Sequence, residues 1–191
     1  ISYAVFPQIH YNYIFSEKNL SAYAGVRGGL NQNSYWELSK ENPFILNALT
    51  SDGGSLNLVN SRIMYDFYVG MNSYLGLNIN WSSELSYSRV KDMHFFVLDD
   101  NSTYQNKFKV VYDDVNHLLL SSLLDWEMNS NTNINFQLDY HNYDLNTLKD
   151  YAYKPSLVSK LGFSYNIGDK IIPQIEPVSY THLTLPTIRS V

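Results

Sequence analysis

The stretch Leu118-Leu-Leu-Ser-Ser-Leu-Leu-Asp-Trp-Glu-Met-Asn-Ser-Asn-Thr-Asn-Ile-Asn-Phe-Gln-Leu-Asp-Tyr140 alternates twice. Leu118, Leu120, Leu124, Trp126 and Met128 stand against His117, Ser121, Asp125 and Glu127; after Asn129 to Asn133, Ile134, Phe136, Leu138 and Tyr140 stand against Asn135, Gln137, Asp139 and His141. A period of two over this length describes a strand with one apolar face, and the short Asn-rich interruption describes a turn. The segment therefore reads as an antiparallel hairpin. Trp126 and Phe136 share its apolar face and should lie opposite one another within one two-residue step. Such a pair is worth roughly 0.2–1 kcal/mol, enough to bias register without fixing it alone.

Outward from this hairpin the same period recurs. Ile9 to Phe15 is a first strand, and Leu20 to Leu30 follows a very short turn as the second. A polar stretch from about Gln32 to Asn60, with Asn42-Pro43 and Asp52-Gly53-Gly54, reads as a long loop. Ile63 to Met71 and Leu77 to Tyr87 form the next hairpin with a brief connection. From Arg89 to Asn116 the alternation blurs around Phe108, Val110 and Tyr112, which reads as a second long, partly structured loop. Beyond the deciding hairpin, a loop over Asn142 to Pro155 leads to a strand from Leu157 to Ile167, and an eighth strand begins at Ile171 after Gly168-Asp169-Lys170.

Connections thus alternate short and long, and each strand carries one apolar face over about ten residues. Transmembrane barrels have this layout, with short turns at one end, long loops at the other and strands crossing an apolar band about 25 Å tall. Arg27, Arg62, Asp66, Glu84, Asp125 and Asp139 fall on the polar faces, which fits a wet interior, because Arg or Lys facing lipid at the midplane costs roughly 2–4 kcal/mol. The chain's 17 Tyr, 9 Phe and 3 Trp favour strands, and Tyr and Trp near strand ends suit interfacial girdles. The mean hydropathy of −0.26 does not oppose a barrel, because alternation dilutes the signal. The formal charge of −5 excludes a basic nucleic-acid footprint. The absence of Cys excludes a disulfide framework and a thiol nucleophile.

The two ends read as foreign to the native termini. Ile1 to Phe15 has neither a basic start nor a cleavable apolar core. Val178-Ser-Tyr-Thr-His-Leu-Thr-Leu-Pro-Thr-Ile-Arg-Ser-Val191 resembles translated sequencing-adapter read-through, and Pro186 is poorly suited to a ladder. Residues 1–177 are accordingly taken as the barrel segment and 178–191 as a non-native tail. The expected fold is all-β: an antiparallel up-and-down transmembrane β-barrel present as an incomplete fragment of about seven or eight strands. The sheet should be open and curved, with its first and last strands unpaired. Trp81, Leu85, Trp126, Phe136 and Phe163 should face outward, and Arg62, Glu84 and Asp139 inward.

Leu20-Ser-Ala-Tyr-Ala-Gly25 with Gly28, Gly29, Asn33, Ser34, Tyr35 and Glu41-Asn-Pro-Phe44, then Val110-Val-Tyr-Asp-Asp-Val115 and Tyr153-Lys-Pro-Ser156, together resemble the barrel portion of TonB-dependent-receptor-like outer-membrane proteins of Gram-negative bacteria. The resemblance covers about Ile1 to Glu176. It implies an outer-membrane barrel that binds or passes a small solute among outer-membrane lipids, with a periplasmic TonB-type coupling protein as partner where a plug precedes the barrel. No plug or coupling segment is seen in this chain.

Other chemistries find little support. His10, His117 and His141 can share a polar face, but no pair has zinc-ligand spacing with a third. Asp99-Asp100-Asn101 and Asp113-Asp114 lack the central Gly and terminal Glu of a twelve-residue calcium loop. Serines are plentiful, but no nucleophile elbow is present, and Gly25, Gly28 and Gly29 lack the strand-turn-helix setting of a phosphate cradle, reading instead as sites of curvature or close packing. The expectation is a non-enzymatic chain with no catalytic residue, metal or cofactor. A structural outer-membrane barrel and a soluble carbohydrate-binding β-sandwich are the alternatives.

Overall fold

The computed structural model describes residues 5–15, 19–45, 58–76, 78–99, 107–149, 154–167 and 173–181. They form β1 (Gln8–Phe15), β2 (Leu20–Asn31), α1 (Tyr35–Glu41), β3 (Ser61–Tyr74), β4 (Ile79–Leu98), β5 (Phe108–Asn129), β6 (Thr132–Leu145), β7 (Leu157–Tyr165), β8 (Gln174–Ile175) and β9 (Val178–Thr181). The strands make one antiparallel sheet in the order β1 to β8, with β9 also on β7. β1 pairs with β2 alone and β8 with β7 alone, so the described sheet is open at both edges. This is the up-and-down barrel wall that the alternation implied.

Register fixes the two faces. Trp81 lies opposite Leu124, Leu124 opposite Phe136 and Phe136 opposite Leu161. Trp126 lies opposite Ile134, one step from Phe136, as the hairpin pattern required. On the other face Glu84, Ser121 and Asp139 are in line. The apolar face is the exposed one: Phe67 is 54% exposed, Leu85 43%, Leu120 46% and Phe163 43%, whereas Asp66, Ser86 and Ser88 on the polar face are 8% or less. A single-layer sheet buries one face only by curving around it, so the polar face is concave. A water-soluble sandwich buries its apolar face against a second sheet, and none covers this one among the described residues.

In four places the structure departs from the sequence reading. The stretch from Arg89 to Asn116 holds far more strand than a partly structured loop, because β4 continues to Leu98 and β5 begins at Phe108. An irregularity between Val90 and Met93, with Asp92 at φ 56°, breaks the period there and hides the strand. Arg62 does not face inward, because a register shift between Ile63 and Tyr65 exchanges the faces and places Arg62 beside Lys91 on the outer side. The long loop over Gln32 to Asn60 contains α1, whose N-cap Ser34 accepts from the Glu37 amide and donates its hydroxyl to the Glu37 carboxylate, satisfying one of the helix's unpaired first-turn amides.

The fourth departure is at the C-terminal end. Val178–Thr181, set aside as tail, lie along β7. β8 and β9 together make a broken edge strand joined through Pro177, whose carbonyl accepts from the Leu161 amide; an edge is where Pro is tolerated. Of the strand expected from Ile171, only Gln174–Ile175 is a described strand. Residues 182–191, with Pro186, lie outside the described residues.

The length of β4 and β5 has a consequence. At about 3.3 Å per residue, strands of 20 and 22 residues are twice the 9–11 residues that cross a bilayer. In their distal halves the outer face is covered as well: Phe96, on the side of Val110 and Leu118, is fully buried, as are Phe95 and Val115 on the inner face. There Phe96 packs with Leu38 of α1 and Ile45, flanked by Tyr35, Phe108 and Val110. The hairpin thus has an exposed apolar face near its turn and a buried apolar core beyond it.

Candidate functional site on the polar face

The polar face is organised in cross-strand rows. Arg27 is the direct partner of Asp66, and its guanidinium spans Asp66 Oδ2 at 2.7 Å and Glu84 Oε1 at 2.8 Å while lying 4.5 Å from the centre of the Tyr68 ring. Tyr23 donates its hydroxyl to Glu84 at 3.1 Å, and His10 Nδ1 lies 2.9 Å from the Tyr68 hydroxyl. Two glycines make room for these rings. Tyr68 is registered against Gly25 and Tyr23 against Gly70, and a Cβ on either glycine would collide with the opposing ring. Gly25 therefore serves close packing, the role its strand setting suggested.

Further along the face, Asp139 accepts from Ser121 and Gln137, both at 2.6 Å. His117, His141 and Tyr143 stack, with ring centres 5.3 Å apart for the two imidazoles and 4.6 Å for His117 and Tyr143. His117 Nε2 and His141 Nδ1 are 3.0 Å apart, so one ring donates to the other. His10, His117 and His141 do share the polar face, but His10 pairs with Tyr68 rather than with the other two. Among the described residues no group of three His, Asp or Glu could hold a metal ion.

A cavity of about 230 Å³ opens on this face, lined by Asp66, Ser88 and His117 together with Ile63, Val90 and Leu119. A second, of about 510 Å³, lies toward the short turns and is lined by Asn12, Asn72, Asn80, Ser82 and Asp125 among others. Hydroxyl, amide and carboxylate groups on a concave wall can hydrogen-bond a hydrated solute in passing.

This chain is similar in fold to the copper transporter OprC. The likeness has a TM-score of 0.56 at 14% identity and covers 86% of this chain but 25% of that transporter. The chain thus spans about a quarter of the transporter's length. No family model and no curated protein matches it.

Beyond the apolar band the polar groups become clamps. Glu41, at the end of α1, accepts from Lys154 and lies 2.8 Å from His94 Nε2, and Lys154 Nζ is 3.0 Å from the same imidazole nitrogen. Asp113 accepts from the amides of Thr147 and Leu148 at 2.8 and 2.9 Å and of Asp114 at 2.9 Å. Asp113 is therefore a backbone clamp rather than half of a calcium site; Asp100 and Asn101 lie outside the described residues. Burial pushes the Glu41 carboxyl up, but the hydrogen bond from His94 and the charge and hydrogen bond of Lys154 outweigh it and hold it below its ordinary range. Burial likewise raises Asp113, and the amides of Leu148, Thr147 and Asp114 outweigh that.

Both carboxyls are depressed on folding, so their stabilisation is complete above the ordinary carboxylate range near pH 4 and is lost as pH falls through the lower folded values. Amide-exchange protection of Thr147 and Leu148 should therefore be constant at neutral pH and collapse in acid before β5 and β6 open. Equal protection of these amides at pH 3 and pH 7 would contradict it. The sequence offered no signal for these clamps, because Glu41 and Lys154 are 113 residues apart.

Proposed function

We propose that this chain is part of the wall of a TonB-dependent-receptor-like transporter in the outer membrane of a Gram-negative bacterium, with its polar face bordering the path of a small solute. The observation that carries this reading is the change along β4 and β5: apolar side chains are exposed near the turn and buried beyond it. Water around the whole strand would not produce that pattern, whereas an apolar solvent around one half does. The alternation of short and long connections and the fold likeness to an outer-membrane transporter point the same way. In this reading the chain binds or passes solute without chemistry, and energy coupling through a TonB-type protein requires a plug supplied by other sequence.

The test uses the full chain in vesicles. Trp81 and Trp126 lie on the outer face of the band, whereas Trp36 sits on α1 beyond it. In variants retaining a single Trp, brominated acyl chains should quench the fluorescence of Trp81 and Trp126 and spare Trp36. Equal quenching of all three, or none of any, would exclude the membrane-wall reading.

A further inference from the structure

The outer face carries a line of charge where the apolar band ends. Arg62 is registered directly against Lys91, and one row nearer the band Tyr65 is registered against Arg89, Arg89 against Asn116 and Asn116 against Asp144. Registered partners point to the same face, and like charges directly opposite one another are destabilising. The Arg62–Lys91 pair therefore needs compensation. Part of it comes from Asp92, which accepts from Arg62 Nη2 at 2.7 Å. Arg89 donates to Asn116 at 2.8 Å and reaches Asp114 only at 3.7 Å. Lys91 has no ion-pair partner among the described residues.

Arg62 uses one nitrogen on Asp92 and its side chain is 48% exposed, so further donors of its five N–H groups remain for a planar or tetrahedral oxyanion. Below this line, on the same face and the same strands, Phe67 and Tyr87 are exposed. An anion seated across Arg62 and Lys91 thus sits at the top of an apolar wall. That is the shape of a phosphorylated lipid, with its head group at the charged row and its chains along the aromatic surface.

We propose that Arg62 and Lys91, with Arg89 beside them, form a binding site for the phosphate of an anionic lipid head group on the outer face of the wall. The site rests on the membrane-wall reading above. Its occupant is a lipid rather than free phosphate because the cations are continuous with the exposed apolar face. Asp92 on Arg62, Asp114 3.7 Å from Arg89 and Asp144 in the Arg89–Asn116 row stand close by and limit the site to a head group that engages the two cations without crowding the acids.

The experiment compares full-length protein and the R62Q/K91Q variant in phosphatidylcholine vesicles with and without phosphatidic acid, counting phosphatidic acid molecules retained after detergent extraction. Single-Trp quenching is measured on the same samples to report insertion. K91Q alone, which keeps the Arg62–Asp92 bond, covers the case in which the double variant fails to insert. Retention should fall about fivefold for each cation removed, with quenching of Trp81 and Trp126 unchanged. Equal retention by wild type and variants, with quenching intact, would overturn the lipid site and leave the wall reading standing. Loss of quenching in the wild type would overturn the wall reading itself. Displacement of phosphatidic acid by millimolar inorganic phosphate would show a plain anion site and overturn the assignment to lipid.

Discussion

Leu120→Arg should destabilise the inserted protein by about 2–4 kcal/mol, the cost of a cation facing lipid near the bilayer midplane. Leu120 is 46% exposed and registered between Leu85 and Tyr140 on the apolar face. On a water-facing surface the same change at a half-exposed Leu falls within about 0.5 kcal/mol of zero. One substitution therefore separates the two solvents by a margin that unfolding measurements in vesicles resolve. Met128 supplies the depth control, since it is 48% exposed on the same strand but next to the turn. Met128→Arg should cost only about 0–1 kcal/mol, as cations near the interface do. Equal effects at the two positions would remove depth as the variable, and with it the bilayer.

The sheet was legible because its information is local. Alternation at Leu118 to Tyr140 fixes which side chains share a face, and the Asn-rich turn fixes the register to one step; Trp126, expected across from Phe136, lies opposite Ile134, one step away. Legibility failed wherever the period slipped. The irregularity after Val90 made the distal half of β4 look like loop, and the shift between Ile63 and Tyr65 sent Arg62 to the face opposite the one its spacing implied. A slip of one residue moves every later side chain to the other side, and composition does not reveal it. α1 had a readable signal, Ser34 three residues before Glu37, but seven residues within a polar stretch offered no apolar stripe to support it.

The polar face was legible as polar and no further. Arg27, Asp66 and Glu84 were placed on it by alternation, but the fork that joins them depends on β2, β3 and β4 being neighbours. The glycines show the same limit. Gly25 and Gly70 look alike in sequence as strand glycines, and only pairing shows that each receives a tyrosine ring from the other's strand. The Glu41 clamp is further still from sequence, because its three members come from α1, β4 and the segment after β6.

Phe96→Ala should produce the other large loss, about 3–5 kcal/mol, as expected for removing a fully buried aromatic side chain. Phe96 is 0% exposed and holds Leu38 of α1 against the distal half of the β4–β5 hairpin. A helix of seven residues has no stability alone, so α1 depends on that contact. Its loss should carry Glu41 away from His94 and Lys154, because the carboxylate is attached to the helix end. Hydrogen exchange should then show lost protection over residues 35–41, while β4 and β5 near their turn stay protected. Phe136→Ala is the matched comparison, since Phe136 is 39% exposed on the outer apolar face. If the wall stands in a bilayer as proposed, that ring faces chains as apolar as the core, and its removal gives a smaller loss. A helix that keeps its protection in Phe96→Ala would show that α1 is held by its polar clamp rather than by this core.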